Sequence, residues 1–155
     1  YSSAASDVYK RQYMIRSSLE GMCARLATEN ITDEQLEELE ENVYLAAFHA
    51  SKGHMEQMTE LDNRFHHILY DACNSKMLER LLVDFHQYVA RIRQKTLSTK
   101  ERGIASNNEH RQIMEAIKAG NADEAERLAT LHMNNAYNNM VKNGLYDIYK
   151  NEEQE

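Results

Sequence analysis

Asp62 and His66 stand four residues apart, the spacing that brings two side chains onto one face of an α-helix. A carboxylate and an imidazole so placed can grip one cation together. His110 and His132 fall in two later stretches of helical apolar period: His110 precedes Ile113 and Ile117 by three and seven residues, and His132 follows Leu128 by four. All four groups are therefore expected at core-facing or core-edge positions, where an unpaired polar group costs a few kcal/mol. A divalent ion would satisfy them together, and imidazole with carboxylate suits Zn, Ni, Mn or Fe. Asp62, His66, His110 and His132 form the expected metal set, with Zn favoured. Each histidine taken alone has a plainer reading as a satisfied core residue, so the case rests on convergence. His67 is one residue off the Asp62 register. His49, His54, His67 and His86 are expected on polar faces or loops, with surface roles.

The elements that would position these groups are helical. The chain has 155 residues, enough for one domain with a full core. It has no proline and 5 glycines, and Leu, Ala, Glu, Met and Gln predominate, residues that lose little rotamer freedom in a helix. Met14, Ile15, Leu19, Met22, Cys23 and Leu26 give a first amphipathic helix from Tyr13 to about Asn30. Thr32-Asp33-Glu34-Gln35 is a capping box opening a second helix to roughly Ala50, with Leu36, Leu39, Val43 and Ala47 as its stripe. The third runs from about Met55 to Ala72, carrying Met58, Leu61, Phe65, Ile68 and Leu69 inward. Ser75 can cap a fourth that reaches about Leu97 through Met77, Leu78, Leu81, Leu82, Phe85, Val89 and Ile92, and Ser98 to Gly103 reads as a loop or kink. The fifth holds His110, Ile113, Met114 and Ile117 and ends at Gly120. The sixth opens at Asn121 and carries Ala125, Leu128, Leu131, His132 and Met140 to just before Gly144. The expectation is an all-α fold, an antiparallel bundle of six or seven helices with short links.

Residues 1–12, YSSAASDVYKRQ, have no apolar period and resemble translated adapter read-through. They are read as a non-native or disordered leader, residues 13–148 as the domain and residues 149–155 as an acidic, frayed tail. The formal net charge is −7, from 25 acidic and 18 basic residues, a poor balance for direct binding to nucleic acid, which needs clustered Lys and Arg. No apolar run approaches a membrane span of about 20 residues, and no signal peptide is evident. Cys23 and Cys73 lack metal or redox spacing and read as reduced, buried thiols of a cytoplasmic protein.

From Tyr13 to roughly Gly144 the chain resembles the C-terminal effector-binding domain, or FCD domain, of FadR-type GntR transcription regulators. The resemblance is carried by Ile15-Arg16-Ser17-Ser18-Leu19-Glu20-Gly21, Ile31-Thr32-Asp33-Glu34-Gln35-Leu36, Asp62-x-x-Phe65-His66, and Leu131-His132-Met133. Its most specific part is Asn108-Glu109-His110-Arg111-Gln112-Ile113-Met114-Glu115-Ala116-Ile117-Lys118-Ala119-Gly120, with His132 following His110 by 22 residues. The resemblance implies that Asp62, His66, His110 and His132 hold a divalent metal inside the bundle. It also implies a small carboxylate or sugar-acid effector that chelates the ion, where relatives lacking the metal set take fatty acyl ligands. Arg16 resembles the family arginine that reaches into the pocket, and a guanidinium fork can pair a carboxylate bidentately; an ion pair with Glu20 competes for it. Ser106, Arg91 and Arg93 are further effector-binding candidates, of which at most one arginine faces inward.

Family members carry an N-terminal winged-helix DNA-binding domain that this sequence does not include. A truncated regulator is expected over a solitary sensor domain, one in which a homodimer reaches DNA only through that missing domain and has no membrane contact. The alternative is a small helical metalloenzyme using the same three-histidine, one-aspartate site to activate water. No general base stands at obvious spacing, however, and the paired Glu-x-x-His motifs of di-iron bundles are absent. Glu109 beside His110 is the nearest base, but adjacent helix residues point differently. A third reading is a metal that only stabilises the bundle. A non-enzymatic sensor is the expectation.

Overall fold

The computed structural model describes residues 3–95 and 99–144, with side chains for 7–90 and 99–144. Among them run α1 (Ser3–Asn30), α2 (Asp33–Lys52), α3 (Met55–Ala72), α4 (Lys76–Lys95), α5 (Lys100–Lys118) and α6 (Ala122–Lys142). The fold is an all-α bundle. Helix α3 has the bounds that apolar periodicity predicts, and α2 starts on the expected box: Thr32 accepts from the Gln35 backbone, and the Gln35 side chain accepts from Thr32 N–H. Gly53 closes α2 in the left-handed region at φ 73°, a conformation that a side chain would strain.

Helices α1 and α6 form the most extensive pairing. Gly21 permits it, because a Cβ there would sit 2.3 Å from Thr130 Oγ1 and 3.2 Å from the Glu126 carbonyl. The main core joins Cys23, Leu39, Val43, Phe65, Leu82 and Ile113 from five helices, and each large apolar side chain so buried contributes about 1.5–3 kcal/mol. A smaller cluster of Tyr13, Val89 and Met140 takes Tyr9 and Tyr137 against it. Tyr9 lies in the stretch without an apolar period, and α1 runs through that stretch from Ser3. Helix propagation needs only one added hydrogen bond per residue once a nucleus exists, so this extension leaves no hydrophobic signature.

Several register expectations are corrected. Met14, Ile15 and Met22 of α1, Met77 and Leu81 of α4, and Leu131 of α6 are exposed. The inward face of α1 is instead Tyr13, Arg16, Ser17, Glu20, Cys23, Ala24 and Ala27, polar over two turns because it faces the histidines. On α2 the stripe continues through Ala46 and Ala50, while Ala47 is exposed. His86, expected at the surface, is buried one turn after Leu82, with Nε2 2.8 Å from Asn63 Oδ1. Lys100 to Gly103 form the first turn of α5, because the Thr99 side chain accepts from the Arg102 backbone and caps it. Residues 96–98, the tail 149–155 and the Ile92 side chain lie outside the described residues. Among those described, no helix is long and apolar enough to cross a membrane.

Candidate metal centre

Helices α3, α5 and α6 bring His66, His110 and His132 together, each 3% exposed, with ligating atoms all within 4.8 Å of one another. His110 Nε2 is 3.0 Å from His132 Nε2. Two nitrogens each about 2.1 Å from one ion, at right angles across it, would stand about 3 Å apart. Asp62, one turn before His66, comes within 3.7 Å of His110 Nε2 through Oδ1 and lies just outside the tight trio. Phe65 stacks on the His110 ring with centroids 3.9 Å apart and planes at 6°, which sets the plane of that imidazole. Burial pushes His132 below the ordinary histidine range against the pull of Glu109, the direction that favours the neutral imidazole a metal requires. Donor types, burial and spacing thus fit a divalent ion.

Two carboxylates stand behind the histidines. Glu20, buried on α1, accepts from the Tyr70 hydroxyl at 2.6 Å and from Arg16 Nη2 at 3.4 Å, with its other oxygen 3.8 Å from His66 Nδ1. Glu109 on α5 faces His132 Nδ1 at 2.5 Å, accepts both Arg102 terminal nitrogens at 3.1 Å, and accepts Asn135 Nδ2 at 2.9 Å. Burial alone would raise both carboxyls. His66, Arg16 and Tyr70 outweigh it at Glu20, as His132 and Arg102 do at Glu109, and both are held at about 2. A carboxylate at Nδ1 fixes the tautomer that turns Nε2 toward an ion and raises its basicity.

The trio opens into a cavity of about 140 Å³, the liquid volume of roughly four or five waters. Arg16, Asp62, Arg102 and Ser106 line its polar side, and Met58, Met133 and Met140 its apolar side. Arg16 lines the cavity and also pairs with Glu20; its buried Nε has no hydrogen-bond partner among the described residues. Ser106 lines the cavity and donates to Asp62 Oδ1 at 3.5 Å. The side chains of Arg91 and Arg93 lie outside the described residues. His67 is half-buried with its ring edge-on to Tyr70 and His86, apart from the trio.

Sequence reasoning did not assign Glu20, Tyr70, Arg102, Glu109 and Asn135 to the site. A signal existed for some of them. Tyr70 follows His66 by four residues and Asn135 follows His132 by three, so each shares its histidine's face, and Arg102 precedes Glu109 by two turns. Glu109 does point away from His110, as neighbours on a helix must, but it points at His132.

The described residues thus form a helical bundle in which a buried three-histidine cluster opens into a small cavity. The FCD domain family profile matches residues 12–135, and the chain belongs to that family. The chain is 24% identical over 119 residues to the HTH-type transcriptional repressor RspR of Escherichia coli K12, covering 77% of this chain and 52% of RspR. Its fold is similar to that of Streptococcus agalactiae GntR, with a TM-score of 0.67 at 26% identity over 80% of this chain and 55% of the other. It is also similar to the metal-free FCD domain of TM0439, with a TM-score of 0.71 at 22% identity over 88% and 94% of the two chains. The chain spans about half the length of the curated relatives it matches. It is an FCD domain of the kind GntR-type transcription regulators carry.

Proposed function

We propose that this domain senses a small organic acid through a divalent metal held by Asp62, His66, His110 and His132. The observation that carries the reading is the convergence of three buried imidazoles, two of them faced at Nδ1 by a carboxylate, on one small cavity. Zn suits the donor set best, with Ni, Mn and Fe as competitors. When bound, the ion supplies open positions for the oxygens of a carboxylate or sugar acid. Asp62 and the histidines would hold it; Glu109 orients His132, while Glu20 faces His66 from 3.8 Å; Arg16 offers a cation to the acid; Ser106 donates to Asp62. The cavity volume favours a ligand of a few heavy atoms over an acyl chain.

In the whole regulator, acid binding would change the packing of the bundle and thereby the spacing of two N-terminal winged helices in a homodimer. A coupling of about 1–3 kcal/mol would alter operator affinity roughly 5–150-fold. Elemental analysis of tag-free protein tests the first step, with His66→Ala as comparison. About one ion per chain, lost in the variant, is expected. Absence of metal in both, after incubation with Zn, Ni and Mn in turn, would return these histidines to a structural role. A metal that binds while no small acid shifts the melting temperature would make the ion purely structural.

A further inference from the structure

Among the described residues, two arginines line the cavity, and each reaches a candidate ligand histidine through a carboxylate, one by a loose contact and the other by a tight one. Arg102 is committed, since both of its terminal nitrogens lie 3.1 Å from Glu109. Arg16 reaches Glu20 with one nitrogen at 3.4 Å, a long contact for a charged pair. Its Nε is buried without a partner among the described residues, and its side chain lines the cavity. A guanidinium has five N–H donors in a fixed fork, so Arg16 retains donor capacity beside the space an acid would enter.

We propose that Arg16 couples the cavity's anion to the metal through Glu20: an acid that takes the Arg16 fork loosens its hold on Glu20, which closes on His66 Nδ1 and tightens the histidine's grip on the ion. The geometry has room for this, because Glu20 Oε2 stands 3.8 Å from His66 Nδ1, nearly 1 Å beyond a charge-assisted bond. Tyr70 keeps Glu20 Oε1 in place at 2.6 Å while Arg16 swings. The second arginine cannot act this way, since His132 Nδ1 is already at 2.5 Å from Glu109. The inference rests on the metal-sensing reading and adds the residue path by which acid and ion promote each other. By linkage the effect is reciprocal.

The test measures Zn affinity by competition with a chromophoric chelator, with and without saturating acetate, in wild type and Glu20→Gln. Wild type is expected to bind Zn at least about fivefold more tightly with acetate. Glu20→Gln should bind Zn roughly 10–100-fold more weakly, with an acetate effect at least about twofold smaller than that of wild type. The ratio is the readout, so a general loss of affinity cancels. An equal acetate effect in both proteins overturns the relay and leaves direct chelation standing, while none in wild type overturns both, since an acid that chelates the ion must also tighten it. Failure of wild type to bind Zn, Ni or Mn overturns the sensing reading itself. If Glu20→Gln does not fold by circular dichroism, Glu20→Asp, whose shorter carboxylate retreats from His66, should lower the ratio; an unchanged ratio there also counts against the relay.

Discussion

The carboxylates behind His66 and His132 are built on one plan and held by different means. In each, an arginine and a glutamate come from one helix, and a histidine with a second donor comes from its neighbour: Arg16 and Glu20 on α1 with His66 and Tyr70 on α3, Arg102 and Glu109 on α5 with His132 and Asn135 on α6. The α1 pair is fully enclosed, at 5% and 4% side-chain exposure, whereas the α5 pair keeps 16% and 20%. The enclosed relay is the slack one. The lesson is that depth of burial and tightness of pairing are separate variables, and a slack buried charge has somewhere to go when a ligand arrives.

The largest expected effect tests that enclosure. Glu20→Ala leaves the Arg16 guanidinium buried without its carboxylate, a change that costs about 3–5 kcal/mol, to be read from urea unfolding of the metal-free protein. A loss under about 1 kcal/mol, the level of exposed pairs, would mean that water reaches Arg16 and that the contrast with Arg102 is false. Next, Glu109→Gln should lower Zn affinity roughly 10–100-fold by withdrawing charge from His132, with a smaller stability loss than Glu20→Ala because Arg102 reaches solvent. Equal stability losses in the two variants would erase the distinction.

Tyr70→Phe sharpens the comparison from the other side of Glu20. It removes the 2.6 Å hydrogen bond to a carboxylate, expected to cost roughly 1.5 kcal/mol, and should not abolish Zn binding in a titration followed by calorimetry. The smallest effect is expected from Ser106→Ala. Its 3.5 Å contact with Asp62 is long and partly exposed, so thermal unfolding should move by no more than about 0.5 kcal/mol; a larger shift would give Ser106 a part in holding Asp62 comparable to those of the two glutamates.

The His66 and His110 positions were readable because each lies on a helix whose apolar stripe is strong, with Phe65, Ile68 and Leu69 around one and Ile113, Met114 and Ile117 around the other. Helix α1 was harder. Its apolar residues Met14, Ile15 and Met22 pointed to one face, and the chain buries another, lined by Arg16, Ser17 and Glu20. Hydrophobic periodicity assumes that the buried face is apolar; where a helix faces a polar centre that assumption inverts. His86 was missed although it stands four residues after Leu82 and three before Val89, on the face they bury; its polar type outweighed that spacing, and Asn63 meets it from α3.

By itself the amino-acid sequence determined the helices, their caps and the donor types: the Thr32 box, the Gly53 stop and the four-residue step from Asp62 to His66 are local, within reach of one turn of backbone. Only the tertiary structure decided which imidazole meets which carboxylate. Glu20 stands 46 residues from His66, and Glu109 stands 23 from His132. Contacts over such separations depend on how helices rotate and approach, which Gly21 against Thr130 and the packing of α1 on α6 set through volume and close contact rather than through any pattern along the chain.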